Sequence, residues 1–587
     1  MHTCVAGATV TITSDFNNFL RPKETSTITC TVNGPAIAVS QSESSLLLTS
    51  TMNLAEKQRI GQHFVFGFHG HSVSSDIRTL IEEYHVGSVI LMKRNIVDFA
   101  QTRALIRELQ TLARDAGHAK PLLIGIDQEN GLVAAFCRPG AGTQFPGAMA
   151  LAATGSPSIA EQVSFASGRE LRLAGITWAY SPVADVNSDS RNPVIGVRSF
   201  GDDPQQVGIF ASAVAKGLAA AGVAPCAKHF PGHGDTAVDS HLALPRIMKS
   251  RAALQATELP PFEALVAQGV ASIMTGHMAL PAVTGSDAPC SLARAITTDL
   301  LRGALGFRGL VVTDCLEMDA ISDTAQGACG VEEGAVRALG AGADVVMICH
   351  TMAWQRGAVL ETYNAVRSGR LVLDESHIDA LKDKFAGTWD DVLSDRDDLA
   401  LEWENAKRES VALSDKAYKL STALVNGADT LPLKTGQPVA LFTPPMESLN
   451  KAVDDADGVL RTKSGALRNT AGPSFLAFAE SVGKRAPCTH AVYQRDAALS
   501  VPADCAAVIF TLRNADRSPW QLDSLRMLAE SVQVPIIVVG SCAPYEAASV
   551  VQPYVACFEY TPAALEGAAR SIFGEQGPAH GTVPVKY

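Results

Sequence analysis

The chain has 587 residues, 47% of them hydrophobic and 18% charged, which excludes a disordered or fibrous protein and exceeds one ordinary core, so two or three domains are expected. A formal net charge of -12 without any Lys/Arg-rich block argues against nucleic acid or an anionic membrane as partner. The 12 cysteines are scattered and form no CxxC pair, and Cys226, Cys315 and Cys349 lie in or just after apolar runs, which reads as reduced thiols in a reducing compartment.

Residues 1–50 are rich in Ser, Thr and Asn and read as a flexible tail. They lack a basic stretch followed by a continuous apolar one, and no apolar run approaches the roughly 18–20 residues that span a bilayer, so a cytoplasmic location is expected. From Leu54 apolar runs alternate with amphipathic segments. Candidate strands fall at 64–68, 88–91, 122–126, 177–180, 223–227, 272–274, 310–312 and 345–348, with helical stretches at 98–116, 159–174, 204–221, 254–268 and 331–339. This alternation favours a parallel sheet with helices outside, and the repeats fit a (β/α)8 TIM-type barrel over 51–390, with a doubly wound open sheet as second choice. Residues 391–435 read as a charged helical connector. Residues 436–587 read as a smaller α/β/α sandwich, with strands at 439–442, 507–512, 536–539 and 556–558. That region carries no GxGxxG or P-loop signature, which argues against nucleotide binding.

Ionisable residues follow several of the barrel runs: Asp127 after the third, Lys228 and His229 after the fifth, His277 after the sixth, Asp314 after the seventh and His350 after the eighth. A barrel brings these ends to one face, whereas an open sheet spreads them along an edge. The densest group is Lys228-His229-Phe230-Pro231-Gly232-His233-Gly234-Asp235-Thr236, continuing to Asp239-Ser240-His241 and holding three of the 14 histidines. Its glycines permit a loop conformation where the apolar run 223–227 ends.

That stretch resembles the signature of glycoside hydrolase family 3, in its β-N-acetylglucosaminidase branch. Supporting segments are Gly125-Ile126-Asp127-Gln128-Glu129, Ser181-Pro182-Val183-Ala184-Asp185-Val186-Asn187, residues 191–200 and Thr313-Asp314-Cys315-Leu316-Glu317-Met318. The resemblance implies a retaining exo-glycosidase releasing terminal N-acetylglucosamine, with Asp314 as nucleophile and His241, backed by Asp239, as acid and base. Imidazole, with an unperturbed pKa of about 6.5, can donate and then accept a proton near neutrality, and a neighbouring carboxylate fixes its tautomer. The resemblance further implies that Asp127, Arg198, Lys228 and His229 grip sugar hydroxyls, that Met318 lines the pocket beside the acetamido group, and that neither metal nor cofactor takes part. The partner is then a small carbohydrate bearing N-acetylglucosamine; the sequence is silent on oligomeric state.

One segment departs from the family pattern. Where relatives continue Gly-Gly-Arg-Val-Gln-Arg-Phe, this chain has Asn130-Gly131-Leu132-Val133-Ala134-Ala135-Phe136. Leu132 and Ala135 replace two arginines, which implies a relaxed or shifted subsite. Other readings are a β-glucosidase or β-xylosidase of the same family, a phosphorolytic variant, a non-catalytic sugar-binding relative, and a zinc hydrolase with His229, His233, His241 and Asp314 as ligands.

Overall fold

The structure, a computed structural model, describes residues 52–236, 244–446 and 471–587, apart from the single positions 395 and 578. Eight parallel strands close into a barrel: β1 (Phe64–Phe66), β2 (Ser88–Leu91), β3 (Leu123–Ile126), β4 (Trp178–Ala179), β5 (Ala224–Phe230), β6 (Ser272–Thr275), β7 (Leu310–Cys315) and β8 (Val345–Ile348). Closure is made by β1 on β8, with Phe64 opposite Val346 and Phe66 opposite Ile348. The open sheet is thereby excluded. Alternate strand residues such as Val65, Ile90, Leu123, Trp178, Cys226, Met274, Val312 and Met347 fill the interior as one apolar cluster, so the barrel is a packed core.

Several elements differ from the sequence reading. The helix expected at 254–268 is two, Arg251–Thr257 and Pro260–Ala267, because Pro260 and Pro261 cannot continue the first one. Strand β5 runs three residues past the expected 227, and all seven of its residues are buried, so Lys228 and His229 lie inside the strand instead of following it. The connector region holds the helix Leu399–Ser421, after which a strand not foreseen there, Ala423–Asn426, enters the second sheet.

That sheet has six strands: β9 (Ala423–Asn426), β10 (Val439–Thr443), β11 (Cys488–Val492), β12 (Ala507–Leu512), β13 (Ile536–Gly540) and β14 (Tyr554–Ala556), in the order β9-β14-β13-β12-β10-β11. Only β9 is antiparallel to its neighbour. Along β10 and β12 the side chains alternate between two cores. Leu441 and Ile509 pack with Phe475, Phe478 and Leu565 on one face, while Phe442 and Phe510 pack with Leu525 and Leu528 on the other. The second core does not stop at the sandwich. Met149, Ala150 and Ala153, from the barrel-side helix Ala148–Ala153, belong to it, and Val197 packs against both. Leu132, one of the two residues standing where relatives have arginine, packs against the first, and Ala135 is buried.

Candidate active site

Strand β3 ends at Ile126, and the short ribbon Gln128–Asn130 with Val133–Ala134 follows it. Asp127 and Glu129 lie here, next to Lys228 of β5. The Lys228 ammonium stands 2.7 Å from Asp127 Oδ1 and 2.7 Å from Glu129 Oε1. Arg198 reaches the same carboxylate from the loop beyond β4, donating from Nε to Glu129 Oε2 at 2.9 Å and from Nη2 to Oε1 at 2.8 Å. Burial alone would raise the Glu129 carboxyl, but Arg198 and Lys228 together overcome it and hold it at about 2. The same carboxylates keep Lys228 above its ordinary value despite its burial. Asp127 retains substantial exposure, its side chain 36% accessible against 3% for Lys228, so of this group it is the member open to a ligand.

His229 is fixed from below. Its Nδ1 lies 2.7 Å from Asp185 Oδ2, and its backbone N–H donates to Asp185 Oδ1, which also accepts the His233 N–H at 2.7 Å. Asp185 is fully buried; burial opposes its charge, yet His229 and its hydrogen bonds hold the carboxyl below its usual range. The Lys228–His229 and Phe230–Pro231 peptides are both cis. Beyond them, Gly234 passes so close to Val186 that any Cβ would strike the Val186 carbonyl, which explains a glycine there. Asn192 ties this turn to the loop carrying Arg198: its Nδ2 donates to the carbonyls of His233 and Gly234, and its Oδ1 accepts from Val194 and Ile195. His233 is buried, with Nδ1 3.1 Å from Thr236 Oγ1, and burial with the nearby His229 lowers it to about 4.

Asp314 is the penultimate residue of β7, and its Oδ1 accepts the Cys315 N–H at 2.8 Å. The carboxylates of Asp127 and Asp314 both act on the buried Cys226 thiol of β5, which desolvation raises to about 12. Asp127 follows β3 and Asp314 lies near the end of β7, strands on opposite sides of the closed parallel barrel, so both carboxylates stand at the same end of the barrel. Two further groups hold the Asp314 segment. His277, after β6, places Nε2 3.0 Å from the Cys315 carbonyl and Nδ1 2.7 Å from Ser291 Oγ. Glu317 accepts three successive backbone N–H groups, from Cys349, His350 and Thr351, clamping the turn after β7 to the end of β8 and the start of helix Met352–Arg367. Met318 lies in the same turn, nearly buried, its N–H donating to the Cys315 carbonyl. Asp239 and His241 lie outside the described residues.

The structure thus brings Asp127, Arg198, Lys228 and His229 together, with Asp314 and Met318 at the end of β7 on the same mouth. Glu129, Asp185, Asn192 and Glu317 carry the hydrogen bonding and received no role from the sequence, although all four stand inside the quoted motifs. The zinc arrangement meets an obstacle: Arg198 Nη2 sits 3.5 Å from His229 Nε2, a cation where a metal ion would have to bind. The sandwich touches the same loops, through Asn187 Nδ2 to the Tyr545 hydroxyl at 2.6 Å and Arg517 Nη1 to the Asn192 carbonyl at 3.3 Å. Among the described residues no helix is long and apolar enough to cross a membrane.

Residues 54–385 match the model of the glycosyl hydrolase family 3 N-terminal domain. A beta-hexosaminidase A of Pseudoalteromonas piscicida is 40% identical over an alignment of 262 residues that covers 42% of this chain and 44% of that protein. Among solved structures, a glycoside hydrolase family 3 beta-N-acetylglucosaminidase from Paenibacillus sp. is similar with a TM-score of 0.75 at 30% identity, covering 91% of this chain and 99% of that one. A fungal multi-domain beta-N-acetylglucosaminidase of the same family gives a TM-score of 0.79 at 35% identity, covering 91% of this chain and 61% of that one. This chain therefore spans less than half of the curated relative and under two thirds of the fungal one.

Proposed function

Because the chain belongs to glycosyl hydrolase family 3, we propose that it is a retaining exo-β-N-acetylglucosaminidase acting on small glycosides with a terminal N-acetylglucosamine. The observation that carries this is that Asp314 and the Asp127–Lys228–Glu129–Arg198 network stand at the same end of the closed barrel, together with relatives named beta-hexosaminidase and beta-N-acetylglucosaminidase. Asp127, Lys228, His229 and Arg198 offer the directed donors and acceptors that hold a pyranose, and Asp314 attacks the anomeric carbon from its rigid strand end. The bond from anomeric carbon to leaving oxygen breaks as the bond to the Asp314 carboxylate forms. His241 gives its proton to the leaving oxygen, then takes one from the water that hydrolyses the glycosyl-Asp314 ester. Asp239 holds the His241 tautomer and steadies the imidazolium. His277 and Glu317, which hydrogen-bond to the backbone on either side of the Asp314 segment, position the nucleophile. Met318 borders the pocket on the acetamido side.

The test is release of chromophore from an aryl β-N-acetylglucosaminide, with the aryl β-glucoside alongside, for wild type, Asp314→Ala and His241→Ala. Preferential hydrolysis of the first substrate, abolished in Asp314→Ala, supports the reading. Equal or greater activity on the glucoside would move the chain to the β-glucosidase or β-xylosidase reading. Appearance of sugar 1-phosphate in phosphate buffer would make the enzyme a phosphorylase. A folded wild type inactive on both substrates would leave a sugar-binding protein, which Leu132 and Ala135 in place of two arginines would then help explain.

A further inference from the structure

Two cysteines and a histidine meet beside Asp314 and take no part in the sugar-binding network. Cys315 is the last residue of β7, and Cys349 and His350 follow β8; one donor atom from each lies within 4.8 Å of the others. Both thiols are free of disulfides. The backbone enforces the meeting, since Met347 pairs with Cys315 across β7 and β8, and Glu317 accepts the N–H groups of Cys349 and His350. Cys349 is buried, Cys315 partly so, and His350 exposed on its loop. Tetrahedral zinc, with Zn–S of about 2.3 Å, needs donors about 3.8 Å apart, a spacing within the 4.8 Å that bounds these three donor atoms.

We propose that Cys315, Cys349 and His350 form a binding site for a thiophilic divalent cation, with Zn2+ as its reference ligand, and that occupancy of the site blocks turnover at the adjacent Asp314. Once both thiol protons have left, the two sulfurs and the Glu317 carboxylate, which lies 3.7 Å from Cys315 Sγ, carry three negative charges. Arg94, donating from Nη2 to the Cys349 carbonyl at 2.7 Å, returns one positive charge, and a divalent ion supplies the other two. Binding forms two metal–sulfur bonds and one metal–nitrogen bond and releases both thiol protons to solvent, with no change of oxidation state. Three protein ligands leave a fourth position for water. A double charge one residue from Asp314 stabilises that carboxylate and makes it a poorer nucleophile; this second half rests on the function proposed above, whereas the binding does not.

The full-length wild-type protein is titrated with Co2+, whose thiolate complexes absorb in the near ultraviolet, and then with Zn2+ as competitor. Variants are Cys349→Ser and His350→Ala, with Cys488→Ser as a distant control. The proposal expects a sulfur-to-cobalt band saturating at one equivalent in wild type and control, with affinity lower by about 10–100-fold or more in the two site variants. It also expects Zn2+ to inhibit chromophore release by wild type, a chelator to restore it, and the inhibition midpoint to shift by the same factor in the variants. His350→Ala alters only an exposed side chain, so it keeps the test decisive if Cys349→Ser fails to fold. No band in wild type, or equal affinity in wild type and His350→Ala, overturns the site. Binding without inhibition overturns the blockade. Because the spectrum needs no turnover, an inactive protein that still binds one equivalent counts against the glycosidase reading and for the site.

Discussion

Glu129 and Arg198 face each other through two parallel hydrogen bonds of 2.9 and 2.8 Å, with both side chains almost wholly shut from solvent. Lys228 shares the same carboxylate at 2.7 Å. One buried anion is therefore shared by two buried cations that come from different βα units, with Asp127 as the second carboxylate on Lys228, and the relative placement of these groups depends on it.

Glu129→Gln leaves Arg198 and Lys228 with Asp127 as the one remaining carboxylate of the network. Breaking such a buried pair costs about 3–5 kcal/mol, so the variant is expected to unfold at markedly lower urea concentration at pH 7. In wild type the Glu129 carboxyl is held at about 2 against an ordinary 4.5. Its contribution is full above 4.5 and is lost as pH falls through 2, so the stability difference between wild type and variant should shrink across that window.

Glu317→Gln keeps the shape of the clamp but removes the charge that receives the N–H groups of Cys349, His350 and Thr351. The turn after β7 then loosens close to Asp314. Misplacing a reacting group by about 1 Å costs on the order of 10²-fold, so kcat should fall by about that factor while KM changes little. Steady-state kinetics beside a thermal melt check this; a fall in melting temperature with unchanged kcat would reduce Glu317 to a structural role.

Asp185→Asn puts an N–H in place of Oδ2, the oxygen that fixes the His229 ring, while its remaining oxygen can still receive the two backbone N–H groups of His229 and His233. The amide can present its N–H to His229 Nδ1 and so force the other tautomer. Substrate affinity should weaken by about 10-fold or more through His229, a loss of roughly 1.4 kcal/mol or more of binding. Titration with N-acetylglucosamine measures this without turnover.

Acid sensitivity should begin well above the carboxylate range. Burial holds His118 and His233 at about 4, so the folded protein favours neutral rings. Their contribution is complete above the unfolded value of about 6.5 and is lost as pH falls through 4. Between those limits each ring adds up to about 1.4 kcal/mol of destabilisation per pH unit. Urea unfolding at pH 7, 5.5 and 4 should show the loss, and His118→Phe should flatten it.

The barrel was legible because its strands are apolar runs bounded by helical patterns, and the mouth because its ionisable residues recur at strand ends. Two things escaped. Strand β11 alternates exposed and half-buried residues at the sheet edge, and β9 continues directly from a charged helix, so neither stands out as an apolar run. The supporting residues Asp185, Asn192 and Glu317 act on backbone amides and carbonyls of distant loops, and sequence spacing carries no trace of which loops will meet. Glu129 was hidden for another reason: a carboxylate at the end of a quoted motif looks like surface charge until Arg198 and Lys228 arrive from elsewhere.

The helix Ala148–Ala153 leaves the barrel but has its apolar side chains in the sandwich core, beside Val197, which precedes Arg198 in the chain. The boundary along the chain is therefore not a boundary of cohesion. A calorimeter should record a single endotherm for both halves, and a fragment ending near residue 390 should associate through the surface it lays bare. Loss of the sandwich would reach the barrel mouth through the footing of one arginine.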